Sequence, residues 1–507
     1  MSRSEAPLVA VGPGTRQPSS QPDPTTAGSM PDSAPDSGPA STPLAWRATA
    51  LATLFGGLVV GDRASSGGVA RLAAHLGSWA AAVGALRIAR ASRRPPVAPQ
   101  TRQLDGLLPP PTFSVVVAAR NEVRVLPALV ADLAAQDHRA PGGQPMFELI
   151  LIDDRSTDGT AQAALRAAAA TGIGEVTHLV RRGGGDGATT ALEGKGAALT
   201  AAQPSTYRGD VVVVLDADAR VGPSFLSSLA GYVAAGERAI TARRRILHAS
   251  SSALAGVQAD EQTVDGELQR GRWALGGCSE FRGNGIVIRR DLLERVGGWR
   301  AQALTEDLDL SSRIAAAEGV RVAWAIDAEV WEEPVLSWAA LWRQRLRWAE
   351  GAVRRILEHG PAMLASRRLP SAARADFALY AAQLAAPPVL IGALAGGLRR
   401  RRPGMALALL GMYTATGVAL AWDALRWETD ETGATLEPAE RGWRAVRAAA
   451  FGGIWLAAVP AALWRVGTRR GRLQYDKMSH GMEQATTGIV RRAPSTPLRE
   501  AVVARPE

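Results

Sequence analysis

The feature that most constrains the fold is a run of five apolar residues, Val211-Val212-Val213-Val214-Leu215, that ends in Asp216-Ala217-Asp218. A continuous, mostly β-branched run of this kind fits a strand buried on both faces, as in a parallel sheet. Open α/β sheets bind their ligands at the carboxyl ends of such strands. Two carboxylates one residue apart at that end suit a hard divalent cation, because Mg²⁺ takes one or two carboxylates and completes its shell with water and phosphate oxygens. Alone, the pair reads equally well as two solvated loop acids.

Similar units precede it. Phe113 opens an apolar run that enters the polar turn Ala119-Arg120-Asn121-Glu122, and a helix is predicted over about 125–135. A second run, Phe147–Ile152, ends in Asp153-Asp154-Arg155-Ser156-Thr157-Asp158-Gly159. A third, 176–180, leads through a Gly-rich loop to Gly194-Lys195-Gly196, which opens another helix. Alternating strand and helix signals predict an α/β domain with a mainly parallel sheet, its polar strand ends converging on one edge. Beyond it come a basic stretch at Arg243-Arg244-Arg245, a helix over 253–268, the sequence Phe281-Arg282-Gly283-Asn284, and a strand over 286–288. Thr305-Glu306-Asp307 starts a helix, with Thr305 as N-cap and acids in the first turn. Residues 338–357 interleave tryptophan and arginine on a helix, a composition that suits a membrane interface.

The flanks are apolar. Residues 44–92 hold two stretches that read as a transmembrane hairpin, with a pair of core helices as the alternative. Three more apolar segments lie within 371–466, at 377–397, 405–422 and 448–464. Positive-inside counting puts Arg399–Arg402 and the arginines after 464 on the cytoplasmic side and the acidic loop 423–440 outside. That count is satisfied if the first segment, which contains Pro387-Pro388, is re-entrant or interfacial and the last two cross; the alternative is three crossings with the C-terminus outside. The domain division is then a disordered N-terminus (1–43), the hairpin (44–92), a Pro-rich linker (93–111), the α/β domain (112–337), interfacial helices (338–370), membrane segments (371–466) and a polar tail (467–507). The net charge of +10 comes from scattered arginines and flanks of apolar segments, which favours a membrane surface over nucleic acid. The single cysteine, Cys278, precludes an internal disulfide.

Neither a Walker sequence nor a dinucleotide-binding glycine pattern is present, so ATPase and dehydrogenase readings are poor. Strand-end acids with Lys195 at a helix start suit a nucleoside diphosphate. Asp307 reads either as a general base or as a helix-dipole residue. Gln344, Arg347 and Trp348 share a helix face and could meet phosphate and sugar, or simply form a basic, aromatic interfacial helix.

In order, Asp153-Asp154-x-Ser156-x-Asp158-Gly159, Asp216-x-Asp218, Thr305-Glu306-Asp307 and Gln344-x-x-Arg347-Trp348 resemble the motifs of membrane-bound inverting family 2 glycosyltransferases. The resemblance covers roughly residues 112–360. It implies a cytoplasmic domain of the GT-A fold at a bacterial inner membrane, a nucleotide-sugar donor (usually UDP-linked), and a lipid or polysaccharide acceptor. It also implies that Ala119, Arg120, Glu122, Asp153 or Asp154, and Lys195 contact the nucleotide. Asp216 and Asp218 would hold Mg²⁺ or Mn²⁺, and Asp307 would be the base. Arg282, Glu306, Gln344, Arg347 and Trp348 would border the acceptor and diphosphate. The charged Arg282 departs from the Phe-Cys-Gly-Ser/Thr stretch common in polysaccharide synthases. A scaffold with a degenerate domain is the competing class, and the full set of motif carboxylates argues against it.

Overall fold

The structure is a computed structural model and describes residues 42–93, 110–182, 194–202, 206–430 and 433–469. Most of the expected disordered N-terminus, most of the Pro-rich linker, most of the Gly-rich loop and most of the polar tail lie outside the described residues, whereas Thr42 and Pro43 are described and Thr42 is buried.

Two long helices, α1 (Leu44–Ser66) and α2 (Gly68–Ser92), precede the α/β domain. The domain then runs β1 (Phe113–Ala119), α3 (Leu126–Ala134), β2 (Phe147–Asp154), α4 (Thr160–Ala170), β3 (Thr177–Arg182), α5 (Lys195–Leu199), β4 (Val211–Asp216), β5 (Arg220–Val221), α6 (Phe225–Ala234), β6 (Ala239–Ile246), α7 (Ala253–Ala274), β7 (Ile286–Arg289), α8 (Arg290–Arg295), α9 (Glu306–Glu318) and β8 (Ala323–Glu332). After it come α10 (Trp338–Ala365), α11 (Ser371–Gln383), α12 (Ala386–Arg399), α13 (Gly404–Ala424), α14 (Pro438–Phe451) and α15 (Ile454–Thr468).

The eight strands form one sheet in the order β3-β2-β1-β4-β7-β6-β8-β5. The first four are parallel, with Val116 between Ile150 and Val214. Val211 to Leu215 are fully buried, with one apolar core cluster on each side of the sheet. This is why the run shows no alternation. β7 then pairs antiparallel with both β4 and β6. Placing β7 beside β4 brings the loop before it, Phe281–Gly285, alongside the strand end at Asp216.

Five helical stretches are long and apolar enough to cross a membrane: Leu44–Ser66, Gly68–Ser92, Ser371–Arg399, Gly404–Trp427 and Pro438–Thr468. The 377–397 segment is divided between α11 and α12. α12 runs alongside α1 at close range, because Gly57, Gly61, Gly392 and Gly396 line the contact. A Cβ on Gly57 would come within 2.7 Å of Pro388. Small residues permit such backbone approach where lipid supplies no hydrophobic drive. Thr42, just before α1, contacts Arg354 of α10, and Asp62 near its other end pairs with Arg399 and Arg400. Twenty helical residues span about 30 Å, so Arg399 and Arg400 lie at the end of α1 remote from the α/β domain.

The acidic loop after α13 is on the domain side instead. Glu428 accepts from Arg243 at 3.0 Å and also pairs with Arg245, both on β6. The segment 448–464 has both its ends near α7 or α10: Arg447, beside its start, pairs with Asp260 of α7, and Arg465, just after it, reaches Glu350 of α10. Charge counting along the chain treats each charge as facing lipid headgroups, whereas in the fold these charges face one another. Here Asp62 balances the remote arginines and β6 balances the acidic loop.

Candidate active site

α7 joins the membrane helices to the sheet. It buries Asp260, Glu267, Arg270 and Arg272, and each has a partner on another element or turn. Asp260 accepts from Arg444 and Arg447 of α14 at 2.8 and 2.9 Å, and Glu267 accepts from Arg426 at 2.8 Å. Beyond its end, Glu280 is fully buried between Arg272, Arg355 and Arg282. Burial alone would raise its pKa, but the guanidiniums of Arg355, Arg272 and Arg282 outweigh that and hold it below the usual carboxylate range. This ion cluster anchors Phe281-Arg282-Gly283-Asn284. The Arg282 side chain is turned to Asp265 at 2.7 Å.

The loop meets the strand ends. Asn284 Oδ1 accepts the Asp216 backbone N–H at 3.1 Å. Lys195 Nζ donates to the Gly283 carbonyl at 2.7 Å, pairs with Asp216, and lies 3.8 Å from Glu306. Ala219 N–H closes a turn onto the Asp216 carbonyl at 3.0 Å. Within that turn Ala217 is buried while Asp216 and Asp218 are part-exposed, so the alternation leaves both carboxylates accessible. Hard oxygen donors of this kind fit Mg²⁺ or Mn²⁺.

Asp307 sits at the start of α9. Its Oδ1 accepts the Leu308 N–H at 2.8 Å, and its Oδ2 faces Gly283, where a Cβ would lie 3.6 Å away. Gly283 has φ +77°, a left-handed backbone that favours glycine. Burial raises the Asp307 pKa against the opposing Leu308 N–H, Arg282, Lys195 and Arg244. Burial also pushes Glu306 up, to about 7, with Lys195 opposing and Asp307 adding repulsion. Thr305 occupies the N-cap position without a side-chain cap bond. It packs instead against Gly351 of α10, where a Cβ would come within 2.7 Å of its Oγ1.

At the other strand ends, the Asp153 and Asp154 positions separate. Asp153 borders a cleft of about 440 Å³, together with Val123, Ser156, Asp158 and Arg181. Asp154 is buried and pairs with Arg155 and Arg182. Asp158 spans two loops, accepting from Thr160 N–H at 3.0 Å and Val123 N–H at 3.2 Å. Ala119 and Glu122 are buried beneath this cleft, and Glu122 N–H donates to Thr160 Oγ1 at 2.8 Å. Arg120 and Arg347 are part-exposed. Gln344 Oε1 accepts from Arg345, and Trp348 lies under Arg345 at 4.3 Å and near Arg244 at 5.5 Å. Sequence reading passed over Glu280, Asn284, Arg244 and Arg345. The one cue was that Arg244, Asn284 and Arg345 sit in stretches already singled out.

Among the described residues one other acid–histidine group gathers, Asp309, Glu358 and His359. Arg313 and Arg300 hold the Asp309 oxygens at 2.8 and 3.2 Å, supplying the positive charge that a cation would bring.

A mostly parallel sheet whose acidic strand ends face a basic loop, joined to helices long and apolar enough to cross a membrane, defines an α/β protein with a candidate anion- and cation-binding edge beside apolar helices. Residues 109–351 match the family described as "Glycosyltransferase like family 2". The chain is 32% identical over 426 residues to a beta-monoglucosyldiacylglycerol synthase of Synechocystis, covering 80% of this chain and 84% of that one. It is 30% identical over 386 residues to the synthase of that name from Nostoc, covering 75% and 78%. Among solved structures, the mannosyltransferase PcManGT of Pyrobaculum calidifontis, in complex with GDP-Man and Mn²⁺, has a TM-score of 0.51 at 22% identity. That likeness covers 82% of this chain and 96% of the other. The chain belongs to glycosyltransferase family 2, and its catalytic domain has the GT-A fold.

Proposed function

We propose that the protein is an inverting glucosyltransferase that moves glucose from UDP-glucose to diacylglycerol in the bacterial inner membrane, with the catalytic domain on the cytoplasmic face. The reading rests on one observation. The likeness to lipid glucosyltransferases extends over 426 residues, far beyond the 109–351 catalytic match, into the helices where a lipid would enter.

Asp307 takes the proton of the acceptor hydroxyl. The hydroxyl oxygen bonds to the anomeric carbon as the bond to the diphosphate breaks, and UDP leaves with that electron pair. Asp216 and Asp218 would hold a divalent cation, which supplies positive charge against the leaving diphosphate. Lys195 adds a second cation at the same edge. Asp153 faces the cleft where the nucleoside would sit.

The test supplies the full-length protein, in diacylglycerol-containing bilayers, with radiolabelled UDP-glucose. Label in a chloroform-soluble glucolipid is expected. Label in an ethanol-precipitable polymer, or none in either, overturns the reading. EDTA is expected to stop transfer and Mg²⁺ or Mn²⁺ to restore it, whereas chelator-resistant transfer removes the metal role from Asp216 and Asp218.

The pH profile should carry the mark of the buried acids. A base works only when deprotonated, and Asp307 is raised. Transfer should therefore decline on acidification with a midpoint above the ordinary aspartate value, by about tenfold per pH unit below that midpoint. Glu306→Gln removes a negative neighbour and should move that midpoint to lower pH. A midpoint near 4 in the unaltered protein would contradict the assignment.

A further inference from the structure

Trp348 is flanked by two guanidiniums, each held by a carboxylate from a different element. Arg244 donates from Nε to Glu332 of β8 at 3.1 Å. Arg345 donates from Nε to Glu261 of α7 at 3.1 Å and pairs with it again through Nη2. Arg345 is 1% exposed and always charged, so its plane is set by where its carboxylate stands. Glu261 also accepts from Trp455 Nε1, at the start of α15, at 3.2 Å. Gly351, three residues on from Trp348 and so on the same face of α10, packs against Thr305, two residues before Asp307, which sets the Trp348 ring near the start of α9.

We propose that Glu261 is a positioning residue for the acceptor, fixing the Arg345 guanidinium that in turn orients the Trp348 ring against which the acceptor lies. The assignment rests on the proposed glucosyl transfer. Glu261 touches neither Lys195 nor the strand-end acids in the described contacts, so its removal should spare the donor. The indole is the best ring for a cation–π contact, and the attraction grows where water is excluded. Glu261 also ties that stack to α15, so the acceptor wall and an apolar helix share one anchor.

The test uses the full-length enzyme in bilayers, with UDP-glucose and diacylglycerol varied separately. Glu261→Gln keeps the shape and the acceptor for Trp455 but loses the charge. It is expected to raise the diacylglycerol KM about tenfold, leaving the UDP-glucose KM within about twofold. In a Trp348→Ala background the same change is expected to have no further effect on the acceptor KM. A merely structural role would lower turnover without selectivity and would persist in that background, and either result overturns the proposal, as does an unchanged acceptor KM. If Glu261→Gln does not accumulate, Arg345→Lys keeps the charge and loses the planar stack. It must show the same acceptor-selective change, and wild-type behaviour from it overturns the proposal. Failure of the unaltered protein to glucosylate diacylglycerol defeats the functional reading itself, and this assignment with it, and is told apart because it precedes any variant.

Discussion

Asp307→Asn is expected to lower glucosyl transfer by about 10²–10⁴-fold, the range over which a positioned general base contributes, while leaving UDP binding and the thermal midpoint near those of the unaltered protein. The substitution is nearly isosteric. The amide oxygen can still accept the Leu308 N–H that now bonds Oδ1 at 2.8 Å. What it cannot do is accept a proton at neutral pH. Loss of a buried negative charge also relieves its repulsion with Glu306, so a fall in stability is not expected. Calorimetry of UDP binding and transfer assays on one preparation check the result together. Transfer within tenfold of the unaltered protein would remove Asp307 as the base and leave it a helix-terminus residue. Gly283→Ala offers an independent check, because the added methyl stands against the same carboxylate in a left-handed backbone position.

Glu280→Ala should have the largest effect on stability. It strips three arginines of a common partner: Arg355 at 2.7 Å, Arg272 at 3.2 Å and Arg282 at 3.5 Å. Removing one member of a buried ionic group costs about 3–5 kcal/mol, because the remaining charge stays buried and uncompensated. An exposed pair such as Arg290–Glu294, at 3.2 Å on α8, is worth about 0–1 kcal/mol, so Glu294→Ala is the matched control. The expected outcome is a thermal midpoint several degrees lower for Glu280→Ala and unchanged for Glu294→Ala, measured in the same detergent. Because the folded pKa of Glu280 is depressed, its contribution is present above the ordinary glutamate pKa. It is lost only as pH falls through the lower folded value. The penalty should therefore be constant across neutral pH. Equal midpoints for the two variants would show that the cluster contributes no more than a surface pair. Transfer should fall as well, since the cluster holds the loop that carries Gly283 to Lys195 and Asn284 to Asp216.

Much of the domain was legible beforehand. Val211–Leu215 reads as doubly buried because its apolar run has no alternation, and the polar residues after Ala119, Ile152 and Leu215 mark one sheet edge. The order of the acidic motifs gave the family. The division of labour inside a motif was not legible. Asp153 and Asp154 are adjacent, yet one borders the cleft and the other pairs with Arg155 and Arg182, a difference made by β3 lying next to β2. Thr305 looked like a cap, and its packing against Gly351 depends on how α10 crosses α9.

The sequence by itself determined what is local: the strands, the helices, the acid-bearing strand ends and the apolar lengths able to cross a membrane. Those follow from side-chain periodicity and run length over a few residues. The tertiary structure alone decided which charge answers which. Glu428 meets Arg243 across 185 residues of chain, and Asp62 meets Arg400 across 338. Such pairs are selected by burial, since a buried charge must find its counter-charge wherever the fold brings one. That requirement put the acidic loop beside the catalytic domain and the arginine cluster at the far end of α1, and it set Glu261 behind Arg345 at the wall of the site.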